Sequence, residues 1–263
     1  MAYKRLKSGK NVSSEKAAEL SLCTKEQLFE AVRGQFVETM KLPPEYAGIS
    51  EEININGYLI LRMGHDLNEY YEAVSGKDSF DCKMTEIGLM LKAIYEKAEP
   101  IIRKRDITFL SRFPAENIFV NIDREKFCYA VLDILLNAAE NTAPGGRIRM
   151  SVQTTKKFVK VIIGDNGCGM DEETLARCTE PFFTASAGRR KKTGLGLTLA
   201  HHFLAESGGR MNIKSEKGKG TTAEMLLPIM AAGSKELSAS ATVPDILGGK
   251  LSPVYIMLSG LGK

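Results

Sequence analysis

Val159-Lys160-Val161-Ile162-Ile163-Gly164-Asp165-Asn166-Gly167-Cys168-Gly169-Met170 is where the reading of this chain begins. Val159 to Gly164 reads as a strand. It ends on a carboxylate followed by two glycines two positions apart, which let the backbone take positive φ and approach a ligand closely. A carboxylate at a strand end can accept a hydrogen bond from an exocyclic amine such as that of adenine. Asp-Asn-Gly is equally strong turn chemistry, so the stretch takes its meaning from its surroundings.

Upstream, Asp123 caps a long helix through Asn141, and Pro144-Gly145-Gly146 turns the chain into a hairpin of strands Arg147–Thr154 and Phe158–Gly164. Before it come a helix from Thr85 to Arg103 and short strands near Ile107–Leu110 and Ile118–Val120. Downstream lie a helix near Gly196–Glu206 and strands Met211–Ser215 and Thr222–Leu227. Helices and strands do not alternate as βαβ units, which predicts an α+β fold, a two-layer sandwich of one mixed β-sheet under helices. Closer to the N-terminus, Leu28, Val32, Phe36 and Met40 share one helical face. Lys41-Leu42-Pro43-Pro44 ends that helix. A second helix, from about Ser50 to Ser75, carries Ile55, Leu59, Ile60, Met63, Leu67 and Tyr71. Two helices joined by a short turn form an antiparallel hairpin whose apolar stripes need a partner, a second copy being the simplest. The expected organisation is a flexible arm at 1–22, a dimerisation-like helical hairpin at 23–78, the sandwich at 79–230 and a tail at 231–263. Within the tail, the apolar patch Val254–Leu258 reads as an added edge strand.

The 263 residues are 43% hydrophobic and 26% charged, ordinary for a globular chain with a real core. A net charge of +4 is too mild to argue for nucleic acid. Five scattered cysteines with no Cys-x-x-Cys argue against a disulfide framework or zinc site and for a reducing cytoplasm. No apolar run approaches the roughly 18 residues of a membrane span, and no apolar stretch follows the basic N-terminus as in a signal peptide.

Three further features carry chemistry. Thr193-Gly194-Leu195-Gly196-Leu197 is a second glycine pair that opens a helix, whose N-terminal N–H groups form an anion site. It is neither a dinucleotide fingerprint nor a Walker loop. Asn137 and Asp133 stand one turn apart on a helix and offer hard oxygen ligands suited to Mg²⁺. Their flanks, Ile134-Leu135-Leu136, make a merely solvated face less convincing. Arg189-Arg190-Lys191-Lys192 is an ordinary surface run unless it stands beside a triphosphate, whose charge it would neutralise. His201 and His202 lie about 100° apart on a helix, so they cannot chelate one metal together and read as packing residues.

The order and spacing of these pieces resemble the catalytic domain of sensor histidine kinases of two-component systems, in the GHKL ATPase superfamily. Leu135-Leu136-Asn137-Ala138-Ala139 resembles the family's asparagine box and Asp165-Asn166-Gly167-Cys168-Gly169-Met170 its first glycine box. Glu180-Pro181-Phe182-Phe183-Thr184 resembles its phenylalanine box, Gly194-Leu195-Gly196-Leu197 its second glycine box, and Gly218-Lys219-Gly220-Thr221-Thr222 onward its closing strand. The resemblance implies the Bergerat sandwich and the cofactors ATP and Mg²⁺. Asn137 would then ligate Mg²⁺, Asp165 would read adenine, and Thr222 would support the adenine side. Gly167, Gly169, Gly194, Leu195, Gly196 and Leu197 would shape the pocket, Lys192 would serve the phosphates, and 179–193 would form a mobile lid.

Two positions depart from the pattern. Phe29-Glu30-Ala31-Val32-Arg33-Gly34-Gln35-Phe36 aligns with the family's phosphoacceptor segment, and Gly34 falls where its histidine belongs. His65, followed by Asp66, is the substitute, but it stands nearer Asn137 in sequence than the family's layout allows. Asp133 replaces the usual Asn or His; relatives that hydrolyse ATP use a carboxylate there as general base. The resemblance therefore implies a cytoplasmic ATP-dependent histidine kinase, homodimeric through its hairpin, that passes the γ-phosphate to a histidine in trans on a partner kinase, or toward a response regulator. An ATP-binding regulatory pseudo-kinase without its own phosphoacceptor is the alternative. Relatives that phosphorylate serine usually lack a preceding hairpin.

Overall fold

The computed structural model describes residues 25–40, 42–114, 116–185, 192–230 and 252–262. The expected N-terminal arm, positions 186–191 of the expected lid and positions 231–251 of the tail lie outside the described residues. The hairpin comes first: α1 (Lys25–Met40), a 3-10 turn at Pro44–Tyr46, and α2 (Ala47–Ser75), which closes on left-handed Gly76 at φ 67°.

β1 (Cys82–Glu86) and α3 (Ile87–Arg103) follow. Sequence patterning starts this helix at Thr85, whereas the structure keeps Thr85 and Glu86 in a strand. The Glu86 side chain then accepts the Gly88 and Leu89 backbone N–H groups, an N-cap that sets where the helix begins. β2 (Thr108–Arg112) and β3 (Phe119–Asp123) lead to α4 (Arg124–Asn141), capped by Asp123, whose carboxylate accepts the Lys126 N–H at 3.1 Å. After α4 come β4 (Arg147–Thr154), β5 (Phe158–Asp165), the short α5 (Glu172–Arg177), α6 (Gly196–Glu206), β6 (Arg210–Glu216), β7 (Gly220–Pro228) and α7 (Pro253–Leu258).

The main sheet has the order β2-β4-β5-β7-β6. β2 pairs parallel to β4 and the other neighbours pair antiparallel, so the sheet is mixed. β1 and β3 form a separate antiparallel pair. α4 lies across the sheet and is buried nearly all round, from Phe127 to Leu136. Its apolar residues merge with Ile148, Met150, Val161 and Ile163 from the sheet into one core. This is the two-layer α+β architecture expected.

One expectation fails. Val254–Leu258 is not an edge strand but helix α7, inserted among α2, α3 and α4. Val254, Met257 and Leu258 bury in the main core, and Ile256 joins Val32, Tyr58 and Leu61 of the hairpin in a second cluster. Val254, Met257 and Leu258 recur at helical spacing, so a period of 3.6 and not 2 satisfies both clusters. The hairpin meets the sandwich through a face of α2 for which sequence patterning offered no expectation. Its buried residues include Tyr58, Leu61, Arg62, His65, Asp66 and Glu69, while Ile60 and Leu67 of the expected stripe stay 50% and 49% exposed. α2 docks on the sandwich mainly through polar ties, which releases its apolar residues to the outside.

Candidate functional site

A cleft of about 370 Å³ opens between α4, α6 and the ends of β5, β6 and β7. Ile163, Ile213 and Ala223 of the sheet give it an apolar floor. Asp165 ends β5 on this floor, and its Oδ1 accepts the backbone N–H groups of Gly167 at 2.9 Å and Thr221 at 3.2 Å. No hydrogen bond to Oδ2 occurs among the described residues, so that oxygen is available to a donor in the cleft. Burial raises the Asp165 carboxyl above its ordinary value, opposed by those two backbone bonds.

Thr222, expected beside Asp165, instead sits opposite Gly164 across the β5–β7 ladder and does not line the cleft. The strand period of two puts neighbouring residues on opposite faces, and Thr221 faces the site. Gly167 is also off the cleft wall. Its role is a close approach, since a Cβ there would stand 2.2 Å from the Asn141 carbonyl oxygen, and the Cys168 N–H donates to that same oxygen. The first glycine stretch is thereby clamped to the end of α4.

At the other end, Asp133, Asn137, Gly194, Gly196 and Leu197 line the cleft together, as does Gly169 nearer Asp165. A Cβ at Gly196 would stand 2.6 Å from Asp133 Oδ1, so only glycine lets α6 begin against α4. Leu195 is fully buried with Ala130, Leu199, Ala200 and Phe203 and anchors α6 from behind. Lys192 lines the cleft and forms an ion pair with Glu140. Arg189, Arg190 and Lys191 lie outside the described residues. Asn137 is half-buried, and its side-chain amide makes no hydrogen bond among the described residues. A neutral oxygen on the cleft wall with nothing else to bind fits Mg²⁺, which takes few protein ligands and completes its shell with water and phosphate oxygens.

Sequence reasoning missed the part of the wall that comes from the hairpin. Arg62 and Asp66 of α2 both line the cleft, and Asp66 Oδ2 accepts the Thr193 hydroxyl at 2.6 Å. Their spacing of four places both on one helical face, which was the available signal. Lys126 binds Glu69, and His202 Nε2 meets Asp78 Oδ2 at 2.8 Å. Tyr70 meets Phe182 edge-on at 5.1 Å between centroids. His65 is 5% exposed and stacks on Tyr129 at 3.7 Å, so it is a packing residue in this arrangement. Cys82, Cys128, Cys168 and Cys178 are free thiols.

The two carboxylates at this end perturb one another. Burial pushes Asp133 well above the ordinary carboxylate range, and the Asp66 charge pushes it further, against a lowering by Arg62. Burial pushes Asp66 up to about 6, opposed by the Thr193 hydrogen bond and Arg62, with Glu69 raising it. The folded chain thus holds a proton on Asp66 that the unfolded chain releases, and stability falls as pH rises from about 4 to about 6. Asp66→Asn keeps an acceptor for Thr193 and removes that charge. It should raise the unfolding free energy at pH 7.5 by up to about 3 kcal/mol and change little near pH 3.5. Denaturant melts at the two pH values check this, and a variant less stable at pH 7.5 would contradict it.

Residues 122–231 match the family model described as histidine kinase-, DNA gyrase B- and HSP90-like ATPase. The signal transduction histidine-protein kinase AtoS of Escherichia coli is 33% identical over 130 residues, which cover 49% of this chain and 21% of AtoS. This chain therefore spans about a fifth of that relative's length. Among solved structures, full-length ShkA in complex with AMPPNP is similar over 85% of this chain and 47% of its own, at 20% identity and a TM-score of 0.66. Histidine kinase ThkA in complex with the response regulator protein TrrA is similar over 82% of this chain and 62% of its own, at 20% identity and a TM-score of 0.56. At these identities the structures establish a shared fold. Among the described residues, no helix is long and apolar enough to cross a membrane.

Proposed function

We propose that the chain binds Mg²⁺-ATP and donates its γ-phosphate to a histidine in trans, a reading supported by the match of residues 122–231 to the histidine kinase-, DNA gyrase B- and HSP90-like ATPase family model. The observation that carries the reading is the opposition of two unpaired oxygens on the cleft walls. Asp165 Oδ2 would accept the adenine 6-amino group, and Asn137 Oδ1 would hold Mg²⁺ beside the phosphates. Bound Mg²⁺ would shield the charge of the β- and γ-phosphates during transfer. Gly194 and Gly196 would admit the phosphates to the N-terminus of α6, where backbone N–H groups favour anions. Lys192 would exchange Glu140 for a phosphate oxygen. Asp133 is poised as a base only when deprotonated, and its burial, with the Asp66 charge beside it, opposes that form.

Two observations favour the pseudo-kinase as the second reading. Gly34 supplies no phosphoacceptor, and His65 is sealed against Tyr129. Packing does not demand the glycine, because a Cβ at position 34 would meet nothing within 4 Å. A homodimer is part of the proposal: Ile60, Leu67 and Val74 recur at heptad spacing and remain exposed on α2, a seam suited to a second copy.

The test is to incubate the full chain with γ-labelled ATP and Mg²⁺, alone and with candidate histidine-containing phosphotransfer proteins and response regulators. The expected result is no acid-labile label on the chain itself, label on one partner, and self-labelling gained by Gly34→His. Self-labelling of the wild type that vanishes in His65→Ala would overturn the trans reading. ATP binding without label in any mixture would select the pseudo-kinase.

A further inference from the structure

We propose that Arg62, on the hairpin helix α2, is a phosphate-binding residue of the nucleotide cleft and holds the terminal phosphate of ATP. The inference rests on the nucleotide reading above and adds to it a ligand contact from outside the ATPase domain.

Arg62 is only 6% exposed, yet it lines the cleft. Its guanidinium carries five N–H donors and no acceptor, and among the described residues it makes no hydrogen bond or ion pair. Asp66 and Asp133 are near enough for its charge to lower both, but neither engages its donors. No Arg62 nitrogen is sealed away without a partner; its donors open on the cleft, which is the place where they can be met. An anion with several oxygens suits that planar fork better than a lysine ammonium would.

The position along the cleft selects which part of the nucleotide this is. Asp66 holds Thr193, the residue before Gly194, and Asp133 touches Gly196, the first residue of α6. Arg62 therefore stands at the anion-favouring N-terminus of that helix. The adenine end is marked by Gly167 against Asn141, two turns beyond Asp133 on α4, about 12 Å along the helix axis. Asn137 falls midway. Adenine at Asp165, Mg²⁺ at Asn137 and the last phosphate at Arg62 follow the order of groups along ATP.

ADP lacks the group assigned to Arg62, which makes the comparison of the two nucleotides the test. Calorimetry with Mg²⁺-ATP and Mg²⁺-ADP would be run on the full chain as wild type, Arg62→Gln and Arg62→Lys, each checked for folding by its thermal melt. Arg62→Gln should weaken ATP about tenfold to a hundredfold, the loss of a charge-assisted contact, and ADP by less than about threefold. Arg62→Lys, which keeps the charge without the fork, should fall between and supplies the reading should the glutamine variant not fold. Equal losses for ATP and ADP, or no loss, would overturn the assignment while leaving nucleotide binding intact. A wild type that binds neither nucleotide would sink the nucleotide reading itself, and this inference with it.

Discussion

Asp165→Asn is expected to weaken ATP binding by about two orders of magnitude or more while leaving the melting temperature nearly unchanged. Oδ1 takes the Gly167 and Thr221 N–H groups, and the asparagine carbonyl can keep both, so the loop retains its shape. The amide nitrogen then occupies the position of Oδ2. There it presents N–H donors to the adenine 6-amino group, which is itself a donor, and a charge-assisted contact becomes a repulsive one. Guanine carries a carbonyl at the same ring position and would face the wild-type carboxylate acceptor to acceptor. The wild type should therefore prefer ATP to GTP, and Asp165→Asn should narrow that preference mainly by losing ATP. Calorimetry with both nucleotides decides it: equal wild-type affinities, or a variant that binds ATP normally, would remove Asp165 from the site.

How much of this was legible in the sequence depends on how local the physics is. Asp123 caps α4 because the capping group and the backbone it serves are three residues apart. The two glycine stretches were readable as stretches, while the contacts that require glycine there, Gly167 on Asn141 and Gly196 on Asp133, come from the tertiary fold. Thr222 was misplaced by a single position, and one position on a strand reverses the face; only the pairing of β7 with β5 determines which threonine meets Asp165. The inward face of α2 was readable only as a spacing, Arg62 and Asp66 one turn apart. Apolar residues recur along that helix, and sequence patterning assigns them to a partner while saying nothing of the polar face. Arg62, Asp66 and Glu69 turn inward because Thr193 and Lys126, both far along the chain, partner two of them. The spacing marks a shared face, but the partners that bury it lie far along the chain and leave no trace beside it.

The tail gives the other large expected effect, because α7 belongs to two clusters at once. Leu258 is fully buried in the main core with α3 and α4 residues, and Ile256, 3% exposed, faces Val32, Tyr58 and Leu61 of the hairpin. Leu258→Ala should destabilise the whole sandwich by roughly 2–5 kcal/mol, the range for removing a buried leucine and leaving a cavity. Ile256→Ala removes a comparable volume from the smaller cluster, so its cost should fall on the docking of the hairpin and not on the sandwich. Hydrogen exchange separates the two. Leu258→Ala should accelerate exchange in α4 and the sheet along with α2, whereas Ile256→Ala should accelerate it in α1 and α2 and leave β4, β5 and β7 protected. The same variant bears on the cleft, since Arg62 and Asp66 reach it only while α2 stays docked. ATP affinity in Ile256→Ala should therefore fall in the direction of Arg62→Gln, with ADP affinity less affected. Were Ile256→Ala to loosen the sheet as much as Leu258→Ala does, the tail helix would be one more piece of a single core, and the hairpin would have no separate stability for it to control.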